Sequence, residues 1–137
     1  MKKILILISI LSSLLFANSE NNTSYKDALK IAKKEHKIIM IELVKEDCHF
    51  CERMDKEVMI DDNISSTLSK DFVVVKLDVN RDKLPLGLKK EITPTFAFVK
   101  ESGEVFSIIR GAWNRDDFKA LLRYIKKKSK IKRELKE

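Results

Sequence analysis

The chain has 137 residues, of which 36% are charged and 44% hydrophobic, with only 3 Gly, 2 Pro and 2 Cys. That length fits one domain with a modest core, the apolar fraction excludes wholesale disorder, and two cysteines cannot build a multi-disulfide scaffold. The formal charge of +7 points first to nucleic acid or another anionic partner, so its distribution matters.

Met1-Lys2-Lys3 precedes an apolar run from Ile4 to Phe16, interrupted by Ser9, Ser12 and Ser13 and followed by Ala17-Asn18-Ser19. A basic start, a short apolar middle and a small exit residue are the layout of a secretory signal. The run is short for a membrane span, which wants about 20 apolar residues. Residues 1–17 are therefore expected to direct export to the periplasm, with cleavage after Ala17; a retained anchor is the alternative. At the other end, Lys126–Glu137 carries 7 basic and 2 acidic residues, a net of +5, and Lys2 and Lys3 add +2. Residues 18–125 are thus neutral, and no nucleic-acid partner is expected. Residues 129–137 read as a lysine-rich tail ending the last helix, where cations complement the helix dipole; contact with anionic lipid headgroups is the second reading.

The domain itself is expected over residues 18–128. Ser24 caps a helix running to about Glu35, with Ala28, Leu29, Ile31 and Ala32 on its apolar side. The continuous apolar run Ile38-Ile39-Met40-Ile41 lies in a strand from Lys37 to Val44, covered on both faces. A second helix opens near Cys48 and includes Met54 and Val58. Asp61-Asp62-Asn63 breaks it, and a short helix follows through Leu68. Phe72 to Leu77, rich in β-branched residues, is the second strand. Leu84 to Glu91 is expected as a brief helical turn. Thr95–Val99 and Val105–Ile109 form a hairpin about Ser102-Gly103. A final helix starts at Asn114 or Asp116, with Phe118, Leu121, Leu122 and Ile125 on its apolar stripe. The helix between strands one and two makes those strands parallel. The fold class is α/β: a mixed four-stranded sheet, two parallel strands plus an antiparallel hairpin, with helices on both faces.

Cys48-His49-Phe50-Cys51 is the reactive constellation. Three-residue spacing at a helix start puts both sulfurs on one side of one turn, close enough to bond. Cys48, at the positive end of the helix, is the expected nucleophile, and Cys51, one turn inside, the resolving thiol. Other readings compete. Zinc needs about four ligands, and the chain offers two Cys and two His. Haem attachment needs His directly after the second Cys, where Glu52 stands. A structural disulfide across so short a loop stabilises little. No metal or other cofactor is expected.

The run Ile41–Cys51 resembles the active-site strand, loop and helix of the thioredoxin superfamily. Ile92-Thr93-Pro94-Thr95-Phe96 resembles its cis-proline loop, and Ser102-Gly103-Glu104 with Arg110-Gly111 its closing hairpin. The likeness spans about residues 24–128 in motif order, and is greatest to small exported relatives that begin with a helix and lack the first strand of thioredoxin. It implies a thioredoxin-like fold and thiol–disulfide exchange. It also implies that Glu42, six residues before Cys48, is a buried acid accepting the proton of Cys51, with a raised pKa suited to that role. A solvent-facing Glu on an edge strand is the alternative. Pro94 would be cis and lie against the cysteines, so that the neighbouring backbone pairs with an extended substrate; a trans Pro at a strand start is the alternative. Thr93 matches the residue before that proline in several reductase and isomerase relatives.

There are departures. Glu46-Asp47 stands where thioredoxin has Trp before its first cysteine, and these carboxylates oppose a thiolate that a protonated His49 supports. His-Phe replaces Gly-Pro between the cysteines. Phe50 is a candidate for the substrate surface, Trp113 is expected to pack against the final helix, and His36 to lie on the surface. The expected protein is a monomeric, exported thiol–disulfide oxidoreductase acting on disulfides or thiols of other exported proteins, as a reductase recharged by a membrane thiol electron donor. Its rivals are an oxidant or isomerase, and a redox-inert binding module or chaperone.

Overall fold

The computed structural model describes residues 23–134; the segment read as an export signal lies outside the described residues. α1 (Tyr25–Glu35) begins where the Ser24 hydroxyl accepts the Asp27 N–H at 3.2 Å. It ends at His36, whose left-handed backbone turns the chain and donates its N–H to the Ala32 carbonyl. β1 (Ile38–Val44) follows, and then α2 (His49–Arg53), which continues as a π-helical segment, Met54–Met59. α3 (Asp62–Asp71) opens on Asp61, whose carboxylate accepts the N–H groups of Asn63 and Ile64. β2 (Phe72–Asp78), β3 (Thr95–Val99), β4 (Val105–Arg110) and α4 (Arg115–Glu134) complete the order.

The four strands form one sheet in the order β2-β1-β3-β4. β1 and β2 are parallel, and the β1–β3 and β3–β4 pairs are antiparallel. Strand alternation sends Ile38 and Met40, with Phe96 and Phe98, to a core shared with Met54, Val58, Ile64, Leu68, Phe118 and Leu122. Ile39, Ile41 and Leu43, with Ala97 and Val99, point the other way onto Ala28 and Ala32 of α1, which are small enough to let the helix lie close. Helices therefore cover both faces, and the continuous apolar run of β1 is explained by its central, doubly covered place.

Two local expectations are corrected. Leu84–Glu91 contains no helix. Pro85 instead opens a tight turn closed by the Leu88 N–H on the Pro85 carbonyl at 3.0 Å. Leu86 and Gly87 both have positive φ, 59° and 70°, which a right-handed helix excludes. The second helix is not uniformly α either, because it widens into the π turn after Arg53. α4 runs without interruption through Glu134, with Ser129 buried, so the first residues of the lysine-rich tail are helical. Among the described residues no helix is long and apolar enough to cross a membrane.

Candidate active site

The register Leu43↔Thr95 and Thr95↔Arg110 brings the end of β1, the start of β3 and the end of β4 to one edge of the sheet. The loops leaving that edge carry the cysteines, the Thr93-Pro94 pair and Gly111. Asp47, just before the first cysteine, has φ 56°; Asp tolerates that left-handed conformation better than most residues. It turns the chain so that Cys48 becomes the N-cap of α2.

Cys48 and Cys51 form a disulfide with S–S 2.14 Å and Cα–Cα 5.2 Å. The Cys51 N–H points at Cys48 Sγ at 3.2 Å, an arrangement that would stabilise negative charge on that sulfur. Both cysteines are buried, 6% and 5% exposed. The Thr93 hydroxyl donates to the same Sγ at 3.3 Å, and the Thr93–Pro94 peptide bond is cis. The Thr95 hydroxyl holds the Ile92 carbonyl at 2.6 Å, and Gly111 donates its N–H to the Pro94 carbonyl at 2.9 Å, tying this loop to the end of β4.

Glu42 lies on β1 and is 2% exposed. Burial pushes its carboxyl up to about 7, against the pull of Lys76 and with the help of Asp55. Lys76 is its ladder partner on β2, with Nζ 3.6 Å from Glu42 Oε2. That ammonium is hydrogen-bonded to both oxygens of Asp55, at 2.6 and 2.8 Å. Burial disfavours the Lys76 charge, but Glu42 and Asp55 outweigh it and raise its pKa. Glu42 Oε1 is buried without a hydrogen-bond partner among the described residues.

Phe50 projects from the turn between the cysteines and is 54% exposed, with His49 edge-on at 5.8 Å and the Arg53 guanidinium over its ring at 5.4 Å. Trp113 packs on the core that includes Phe118, Leu121 and Leu122 of α4, and its backbone N–H points at Met54 Sδ. His36 is exposed and pairs with Glu101 at 3.0 Å, away from the cysteines. The Glu46–Arg81 pair, 2.5 Å apart, lies on the surface. Lys76 and Asp55 are site residues that sequence reasoning missed. Lys76 could have been found as the one charge in the apolar run from Phe72 to Leu77. Asp55 carries no local signal. Among the described residues no group of three or more His, Cys, Asp or Glu could hold a metal ion.

Comparison with known proteins agrees with this geometry. Residues 25–126 match the family model described as Thioredoxin-like domain. A thioredoxin from Thermus thermophilus, solved in solution, is 27% identical with a TM-score of 0.63, the alignment covering 77% of this chain and 85% of that one. The fold is shared with the DsbH oxidoreductase (18% identity, TM-score 0.59, 78% and 82% covered). It is shared also with the periplasmic thioredoxin SoxS from Paracoccus pantotrophus in its reduced form (20%, 0.57, 68% and 99%). No curated protein matches the sequence.

Proposed function

Because the chain belongs to the thioredoxin-like domain family, we propose that it is a thiol–disulfide oxidoreductase that reduces disulfides of other exported proteins through Cys48-His49-Phe50-Cys51. The observation that carries this reading is the Cys48–Cys51 disulfide at the start of α2, with Cys48 Sγ receiving the Cys51 N–H and the Thr93 hydroxyl. Two donors aimed at one sulfur favour its thiolate, and the thiolate is the attacking species.

In the reduced protein, the Cys48 thiolate attacks one sulfur of the substrate disulfide. That S–S bond breaks, a mixed disulfide forms, and the displaced substrate sulfur leaves as a thiolate that takes a proton from water. The Cys51 thiol passes its proton to the Glu42 carboxylate and attacks Cys48 Sγ. The second substrate sulfur then departs as a thiolate and is protonated in turn. Glu42 then returns the Cys51 proton to solvent, as Cys48 returned its own on ionising. The substrate has thus gained two electrons and two protons, and the protein has lost as many to become the disulfide described here. A membrane thiol donor of two electrons would restore the dithiol. Thr93 and Pro94 offer the backbone against which an extended substrate segment aligns, while His49 and Phe50 form the exposed rim. Catalysis needs no further cofactor, and the protein works as a monomer.

Export rests on the Met1–Ala17 pattern, and the mature domain would begin near Asn18. Thiol trapping in the intact cell separates reductase from oxidant: a mainly reduced Cys48–Cys51 pair supports the reductase, and a mainly oxidised pair contradicts it. A redox-inert binding module would instead keep its partner affinity after both cysteines are replaced.

A further inference from the structure

Charged side chains from three elements meet at Lys76. The ammonium has three protons to donate, and it engages both oxygens of Asp55, at 2.6 and 2.8 Å, while Glu42 Oε2 stands off at 3.6 Å. This sharing is unequal in an unexpected direction. Asp55 is 46% exposed and water solvates it, whereas Glu42 is 2% exposed and has little else to pair with. A buried carboxylate has the greater need of a counter-ion. The buried acid nevertheless keeps an oxygen with no partner among the described residues, and the exposed acid holds the cation. Asp55 is placed to do this by the π-helical segment that follows Cys51 by three residues.

We propose that Asp55 is a positioning residue: by holding the Lys76 ammonium at its own carboxylate, it withholds a counter-ion from Glu42 and so lets Glu42 carry the proton that leaves Cys51. The consequence for turnover rests on the oxidoreductase reading above; the ion cluster itself does not. The charged groups that face Glu42 are Lys76 from β2 and Asp55 from the π segment, and its neighbour across β3 is the uncharged Phe96. Asp55 acts on Glu42 in two ways of the same sign. Its charge disfavours a second carboxylate, and its grip on Lys76 weakens the one attraction that favours it. Removing the Asp55 charge frees the ammonium to close on Glu42, and the opposite charge then lowers the proton affinity of that carboxyl.

The test is the titration of the Glu42 side-chain carboxyl by ¹³C NMR in the whole protein in its disulfide form, comparing wild type with Asp55→Asn and Asp55→Glu. Asp55→Asn should move the midpoint down by about one pH unit or more, at least a tenfold loss of proton affinity. Asp55→Glu keeps a carboxylate for Lys76 and should hold the midpoint near the wild-type value. A merely structural role for Asp55 would move neither. A midpoint that stays or rises in Asp55→Asn overturns the proposal, since Lys76 would then have swung to solvent and not to Glu42. Insulin reduction by the wild type decides the oxidoreductase reading separately, because the titration uses no substrate and no thiol. In the active protein, the pH profile of insulin reduction should shift to lower pH in Asp55→Asn along with the titration.

Discussion

Glu42 and Lys76 sit directly opposite each other across the parallel β1–β2 ladder, yet they do not close into a tight ion pair: Nζ stops 3.6 Å from Oε2. The carboxyl is therefore buried with an incomplete set of donors. Such a group holds its proton to a higher pH than it would in water.

That arrangement makes stability fall with rising pH. The folded-state value of about 7 lies above the ordinary 4.5, so the folded protein binds the proton more tightly than the unfolded chain. The stabilisation is complete below about pH 4.5 and is lost as pH rises through 7. Its size is about 3 kcal/mol. Glu42→Gln keeps the shape without the charge, so urea unfolding of this variant should lack that decline. The wild type should lose up to about 3 kcal/mol relative to it between pH 5 and pH 8. Parallel curves for the two proteins would contradict the assignment.

Thr93 bears on the nucleophile directly, since its hydroxyl donates to Cys48 Sγ at 3.3 Å. A donor to a thiolate stabilises the charged form, and losing it costs about 1.5 kcal/mol. Thr93→Val preserves the side-chain shape and should raise the Cys48 pKa by about one unit. The pH dependence of alkylation of the reduced protein by iodoacetamide reads that shift. An unmoved midpoint would show that the hydroxyl does not support the thiolate.

Gly111 links the end of β4 to the cysteine edge through its N–H on the Pro94 carbonyl, and it does so at φ 91°. Space is not the constraint, because an added Cβ would meet nothing within 4 Å. Backbone conformation is. Gly111→Ala should cost about 1–3 kcal/mol in thermal or urea unfolding. Because the hydrogen bond holds the Thr93-Pro94 loop, it should also slow insulin reduction. Full stability in this variant would mean that the loop relaxes without strain.

Much of this was legible before the structure. Ile38–Ile41 and Phe72–Leu77 read as strands because apolar β-branched runs have few other uses, Ser24 stands where α1 needs a cap, and Asp61-Asp62-Asn63 marks the break before α3. The CxxC spacing and the acid six residues ahead of it were visible as a pattern. What escaped depends on position in space or on backbone sign. Leu84, Leu86 and Leu88 suggested a helical turn, but Leu84 and Leu88 pack on the α1 side of the sheet while Leu86 adopts positive φ. The π turn has the same apolar residues that an α-helix would have, so Met54 and Val58 could not reveal it. Asp55 gains its importance from Lys76, 21 residues away, and nothing in its own neighbourhood announces that contact.

The central claim is that Cys48 attacks and Cys51 resolves. Insulin reduction driven by dithiothreitol, with wild type, Cys48→Ser and Cys51→Ser compared, tests it most directly. The wild type should turn over, Cys48→Ser should fall to the uncatalysed rate, and pre-reduced Cys51→Ser, mixed with insulin after the dithiothreitol is removed, should accumulate one mixed disulfide per protein through Cys48. Reduction that survives the loss of Cys48 would contradict the account.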